Sequence, residues 1–357
     1  MSITLIDENH YAEQMADVVL PALGACRREG YIAPSDAPSL PALPTPGRLH
    51  YVAYDSARFV ASSRSAGTAE FKGAIVIHHG FTESAAKYCE LAWYFLLSGY
   101  SVAIIEARGH GGSARDVDDE SLVWIDDWHR YVADLARFAR TVGRDMAGDQ
   151  PLFLYAHSMG GGIGAATLEA YPDLFDRAVL SSPMIEARTG MPYWLGRAVA
   201  ELGDLAGLGR HIVPTHRRFD PAVGLDDYDG ASRARVAWYH ARRVEDPSRH
   251  TNAATFRWLR EALRLSRAVL DPAAAARVET PTLVFQAATD VFVMPAAQRR
   301  WVEEVRAGGG DARLVRMPGT RHEYFMEPNR ILGPYLDQVI GFLDQGTSVN
   351  AGGDGAQ

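Results

Sequence analysis

Short runs that are apolar throughout alternate along this chain with longer stretches in which apolar residues recur every three or four positions. The runs fall at 72–79, 101–106, 152–157, 177–182, 281–286 and 312–317. Unbroken apolar character is what strands buried on both faces require. Between them, 88–97, the stripe Trp128, Tyr131, Val132, Leu135 and Phe138, a stretch reaching Ala170, and 331–343 carry helical spacing. Gly99 stops the first of these. Strand–helix alternation of this kind predicts an α/β fold: a mostly parallel central sheet with helices on both faces.

The pattern changes at the ends and in the middle. Residues 1 to 30 read as a helix on Ala12, Met15, Val18, Val19 and Leu23. Five prolines between Ala33 and Gly47 predict an extended connector. Segments 49–54 and 59–62 read as a hairpin turning near Asp55-Ser56. After Pro183 the alternation stops: 183–276 carries Trp194, Trp238, Tyr239, Phe256 and Trp258 among short helical patterns. A helical insertion after the sixth core strand is the expectation. The chain thus divides into a lead-in (1–47), a core (48–182 and 277–345), an insertion (183–276) and a polar, glycine-rich tail (346–357) expected to be disordered.

One junction carries chemistry. Leu152-Phe-Leu-Tyr-Ala156-His-Ser158-Met-Gly160 runs from an apolar strand into a stretch of small residues. A strand turning sharply into a helix would lift the Ser158 hydroxyl clear of the sheet edge, as in the G-x-S-x-G elbow, here A-x-S-x-G. The plain alternative is a serine that caps the helix. The partners decide between them, because a serine hydroxyl attacks only when a base takes its proton and an acid orients the base. On such a sheet the order is Ser, then Asp or Glu, then His. Asp290 lies just past the 281–286 strand, and of 12 histidines only His322 lies beyond it, after the last strand. Glu186 is the alternative acid. The oxyanion donors would be the backbone N–H groups of Met159 and Phe81, with Gly80 allowing close approach.

Composition narrows the classes. A net charge of −8 offers no phosphate-tracking surface, so nucleic acid is not an expected partner. Cys26 and Cys89 could form one bridge but no framework. The N-terminus lacks a basic head and apolar run, and no stretch reaches the ~18 apolar residues of a spanning helix. A cytoplasmic protein, with peripheral membrane contact at most, is the expectation. His78, His79 and His110 lack an H-E-x-x-H pattern or acidic partners in sequence, so no metal is expected. Gly160-Gly-Gly-Ile-Gly164 does not match G-x-G-x-x-G.

Taken together, His79-Gly80-Phe-Thr-Glu83-Ser, Lys87-Tyr88-Cys-Glu-Leu-Ala92, Arg108-Gly-His-Gly-Gly-Ser113, Ala156-His-Ser-Met-Gly-Gly161, Asp290 and His322-Glu323 resemble the α/β-hydrolase superfamily. More narrowly, they resemble its monoacylglycerol lipase and bacterial lysophospholipase branch, over about residues 48–343. The resemblance implies the same assignment: Ser158 nucleophile, Asp290 acid, His322 base. It departs at Ala156, where glycine is usual, and at Glu106, where aspartate is common and a structural role is expected. The insertion corresponds to that family's cap. Met184, Ile185, Met191, Tyr193, Trp194 and Leu195 would then form an apolar substrate site and a lip able to touch micelles or membranes.

The expected activity is hydrolysis of single-chain lipid esters through an acyl-enzyme, with no cofactor. Its rivals are a short-chain carboxylesterase or thioesterase, a serine peptidase, and a non-catalytic binding module on the same fold. Epoxide and haloalkane hydrolysis are disfavoured, since on this fold they use an aspartate nucleophile.

Overall fold

The computed structural model describes residues 3–35, 37, 40–41, 47–62, 69–222 and 230–347. Its main sheet has eight strands: β1 (Arg27–Ile32), β2 (Leu49–Tyr54), β3 (Gly73–His78), β4 (Tyr100–Ile105), β6 (Leu152–His157), β7 (Arg177–Ser181), β9 (Thr282–Ala287) and β10 (Ala312–Met317). A two-residue pair, β5 (Leu122–Val123) and β8 (Ala253–Ala254), stands apart. The order across the main sheet is β1-β2-β4-β3-β6-β7-β9-β10. From β4 to β10 every pairing is parallel, whereas β1 and β2 run antiparallel at one edge.

Strands β3, β4, β6 and β9 are buried along their whole length, because helices cover both faces. One layer of core holds Val76, Leu154, Leu180 and Val284 under the helices Met159–Ala170 and Phe256–Val269. The other holds Ile75, Ile77, Phe153 and Phe285 under Cys89–Leu97 and Asn329–Thr347. Parallel strands place their carboxyl ends on one edge, so the loops after His78, His157, Ala287 and Met317 gather there.

Two expectations at the amino end need correction. The first helical region runs only from Glu8 to Cys26, and Arg27–Ile32 is strand β1. That segment has no buried face; its backbone groups complete the edge of β2, which side-chain periodicity does not record. The hairpin is absent because Asp55 Oδ1 accepts the N–H groups of Ala57 (2.9 Å) and Arg58 (3.2 Å). This cap starts a helix, Ser56–Ser62, which seats Phe59 edge-on against Trp93 at 5.3 Å. The described part of the proline-rich connector has no regular structure, and the rest lies outside the described residues, as does the expected disordered tail beyond Thr347. Gly346 and Thr347, placed in that tail, instead end the last helix. Cys26 and Cys89 are free thiols.

Between β7 and β9 the described elements are the helices Tyr193–Gly203, Arg233–Glu245, Phe256–Val269 and Pro272–Ala275, with a π-turn Asp204–Leu208, a 3-10 turn Pro247–Arg249 and the short strand β8. No helix among the described residues is long and apolar enough to cross a membrane.

Candidate active site

Ser158 follows β6 directly and sits at φ 52°, ψ −116°, a backbone state that costs a non-glycine residue about 1–3 kcal/mol. The surroundings enforce it. Ser158 N–H donates to the Ser181 carbonyl at 3.0 Å, while its own carbonyl accepts Met184 N–H (2.8 Å) and Gly162 N–H (3.1 Å). The small residues around it are sterically required. A Cβ at Gly160 would strike the His78 carbonyl, and one at Gly162 the Met184 carbonyl. Ala156 is tolerated because Gly164, facing it on the next helix, presents no side chain.

The strained turn aims the hydroxyl at His322, whose Nε2 lies 2.7 Å from Ser158 Oγ. His322 Nδ1 is 2.8 Å from Asp290 Oδ2. An ionised carboxylate only accepts, so Nδ1 carries the proton and Nε2 is left to accept from the serine. Burial works against the charge on Asp290. The hydrogen bond and charge of His322, with the N–H groups of Phe292 (2.9 Å) and Val293 (3.1 Å) on Oδ1, outweigh it and hold the carboxyl below its usual range. The three side chains expected from order along the chain are thus one hydrogen-bonded series. Glu186 takes no part: no hydrogen bond joins it to His322, and its carbonyl accepts Met294 N–H at 2.9 Å.

Phe81 follows β3 and lines the cavity beside Ser158, and Met159 opens the helix after the serine. Among the described residues neither backbone N–H has a protein acceptor. His79 fixes the loop: its Nδ1 donates to the Gly80 carbonyl (2.7 Å) and its Nε2 accepts Ala107 N–H (2.9 Å). Both ring nitrogens are therefore engaged. Glu106 braces the neighbouring turn, accepting from Ala85 N–H (2.8 Å), Gly112 N–H (2.6 Å) and His50 Nδ1 (2.8 Å).

The serine opens into a cavity of about 420 Å³, within the range of small-molecule sites. Its walls are mainly apolar, with Phe81, Met184, Val213, Trp258, Leu259 and Val293 among them. Trp258 and Phe81 lie 4.1 Å apart, ring centre to ring centre. Of the residues expected to bind substrate, Met184 lines this space, as does Met191, expected only in the lip. Ile185 is buried in the core behind it, and the Tyr193 hydroxyl is turned to the Leu263 carbonyl at 2.7 Å. Trp194 is 70% exposed and Leu195 37%, so both face outward. Val213, His216, Leu259 and Phe292 were not legible as wall residues. Only Phe292 left a signal, an apolar residue in a loop two positions after the acid.

Beside the serine, Glu83, His157 and Glu323 bring possible ligand atoms within 4.8 Å of one another. A cation already sits among them: Lys87 Nζ donates to Glu83 Oε1 (2.8 Å) and Glu323 Oε1 (2.7 Å). Burial pushes His157 down to about 4, against the opposing pull of Glu83, so its ring is neutral near pH 7.

The eight-stranded sheet, with this serine at the carboxyl edge, defines an α/β hydrolase. A family model described as Hydrolase_4, serine aminopeptidase S33, matches residues 69–329, and the chain belongs to that family. It is 28% identical over 289 residues to lysophospholipase L2 of Escherichia coli K12, covering 77% of this chain and 81% of that protein. It is 29% identical over 275 residues to the monoacylglycerol lipase of Mycolicibacterium smegmatis, covering 76% and 88%. A soluble variant of Saccharomyces cerevisiae monoglyceride lipase, solved with a substrate analogue, superposes with a TM-score of 0.63 at 19% identity, covering 90% of this chain and 96% of that one. A Bacillus coagulans carboxyl esterase gives 0.67 at 16% identity, covering 90% and 99%.

Proposed function

We propose that this chain is a serine hydrolase of single-chain lipid esters, a monoacylglycerol or a lysophospholipid. The observation that carries the reading is the hydrogen-bonded series Ser158–His322–Asp290, opening into an apolar cavity. Relatives named lysophospholipase and monoacylglycerol lipase support the substrate class, although the family label names a peptidase.

In this reading Ser158 Oγ attacks the ester carbonyl while His322 Nε2 takes its proton. Asp290 holds the imidazole and balances the imidazolium. Phe81 and Met159 N–H groups bind the tetrahedral oxyanion. The intermediate collapses, and the departing alkoxide takes the proton from His322. Water, deprotonated by His322, then attacks the acyl-serine; the fatty acid leaves and Ser158 regains its proton. No cofactor enters. Segment 183–276 acts as a cap over the site. Its outward Trp194 and Leu202 are 70% and 66% exposed, on the helix that carries Gly196 and Val199 in the cavity wall, and Leu205, in the turn that follows, is 80% exposed. Apolar surface continuous with a lipid pocket fits contact with a micelle or bilayer surface.

The test is a hydrolysis panel of monoacylglycerols and lysophosphatidylcholine, with Ser158→Ala as the blank, extended by nitrophenyl esters of rising chain length. The expected result is turnover of a single-chain lipid ester that the blank lacks, with kcat/KM rising about fourfold per added methylene until the cavity is filled. Equal rates in both proteins, or a preference for acetate esters, would overturn it.

A further inference from the structure

The mechanism above makes no use of the buried cation next to it. Lys87 lies in the short 3-10 turn Ala85–Tyr88, with its side chain 6% exposed. Its ammonium joins two carboxylates from separate loops. Glu83 belongs to the loop after β3, where Oε2 accepts Gly80 N–H (2.6 Å) and the Tyr88 hydroxyl (2.5 Å). That grip holds the His79–Gly80 peptide, one before the peptide that carries Phe81 N–H, the proposed oxyanion donor. Glu323 follows His322 directly and reaches Lys87 from the opposite side. The rings of Tyr239 and Phe325 stand 5.2 and 5.6 Å from the ammonium and close the space around it.

We infer that Lys87 is a positioning residue: through Glu83 and Glu323 it fixes the spacing between the oxyanion loop and the His322 loop. Burial opposes its charge, but the two carboxylates more than compensate and raise its pKa, so the ammonium persists at any pH where the site works. Glu83 is likewise held well below the usual carboxylate range despite burial, chiefly by Lys87. The Glu83–Lys87 pair is therefore ionic, and the charges of the bridge also set the field at the base. His322 faces Asp290 at Nδ1 and Ser158 at Nε2, with the His157 and Phe292 rings each 5.0 Å away and Glu323, Lys87, Glu83 and Tyr239 beyond.

This inference rests on His322 being the base, and two variants test it by pulling in opposite directions. Lys87→Met leaves both carboxylates uncompensated, which favours the imidazolium. The acid limb of kcat/KM should then move to higher pH by roughly one unit. Glu323→Gln removes one negative charge beside His322 while leaving Glu83 paired, so the limb should move to lower pH. In both, kcat should fall about ten- to a hundredfold, as misplacement of catalytic groups does, with KM within twofold. If Lys87→Met does not fold, Glu323→Gln alone carries the test, since that side chain is 27% exposed. Active wild-type protein with unchanged kcat and pH limb in Glu323→Gln, or limbs shifted the same way in both variants, would overturn it. An inactive wild type would instead overturn the proposed function.

Discussion

Two parts of the segment between β7 and β9 are held in different ways. The Arg233–Glu245 helix is fastened to the core by Arg235, whose side chain is 1% exposed. Its guanidinium forks onto both oxygens of Glu90 at 2.8 Å and also reaches the Glu327 carbonyl (2.9 Å) and Asn329 Oδ1 (2.6 Å). The amino-terminal lead-in adds a brace, because Glu8 accepts from Ser232 Oγ (2.5 Å) and Asn329 N–H (2.6 Å). Among the described residues, 193–208 have no such tie to the core. The side-chain contacts there, Tyr193 to Leu263, Glu201 to Arg264 and Asp204 to Arg257 and Arg260, go to the Phe256–Val269 helix. Burial there falls on Gly196, Ala200 and Asp204, while the large apolar side chains face out. One half of the segment is built as an anchor, and the other presents apolar surface beside the mouth of the cavity.

The strongest way to break that contrast is at the anchor. Arg235→Ala strands Glu90 as a buried, unpaired carboxylate and should cost about 3–5 kcal/mol of global stability in denaturant titration. A loss under 1 kcal/mol would mean that this half is not fastened as described. The outward half should respond in function instead. Leu202→Gln with Leu205→Gln should leave stability within about 0.5 kcal/mol and activity on a soluble ester within twofold. Activity on aggregated lipid should fall at least tenfold, a loss of about 1.4 kcal/mol, which is less than the ~1.5–3 kcal/mol that full burial of a single leucine would supply. Equal losses on both substrates would remove the distinction between the two halves.

The parallel core was legible because buried strands leave unbroken apolar runs, and because the chain order of Ser158, Asp290 and His322 admits one histidine. What local pattern could not carry was pairing through backbone alone, as in β1, and polar caps that override alternation, as at Asp55. The cavity wall was the least legible part. His216 meets Phe81, and Val213 joins the same wall, only after a long-range fold of the insertion, and nothing in their neighbourhoods announces it. Trp194 and Leu195 look like pocket residues by composition, yet the small Gly196 and Ala200 take the inward face of that helix. The Lys87 bridge left half a signal. Glu83 and Lys87 are four apart, as a local ion pair would be, but Glu323 joins from 236 residues away.

The central claim is that Ser158 is the nucleophile. Incubating the protein with a fluorophosphonate and reading the adduct by peptide mass spectrometry tests it directly. The account predicts one equivalent of label, on the peptide containing Ser158, and none on a folded Ser158→Ala protein. Label retained by that variant, or carried on another residue of the wild type, would contradict it.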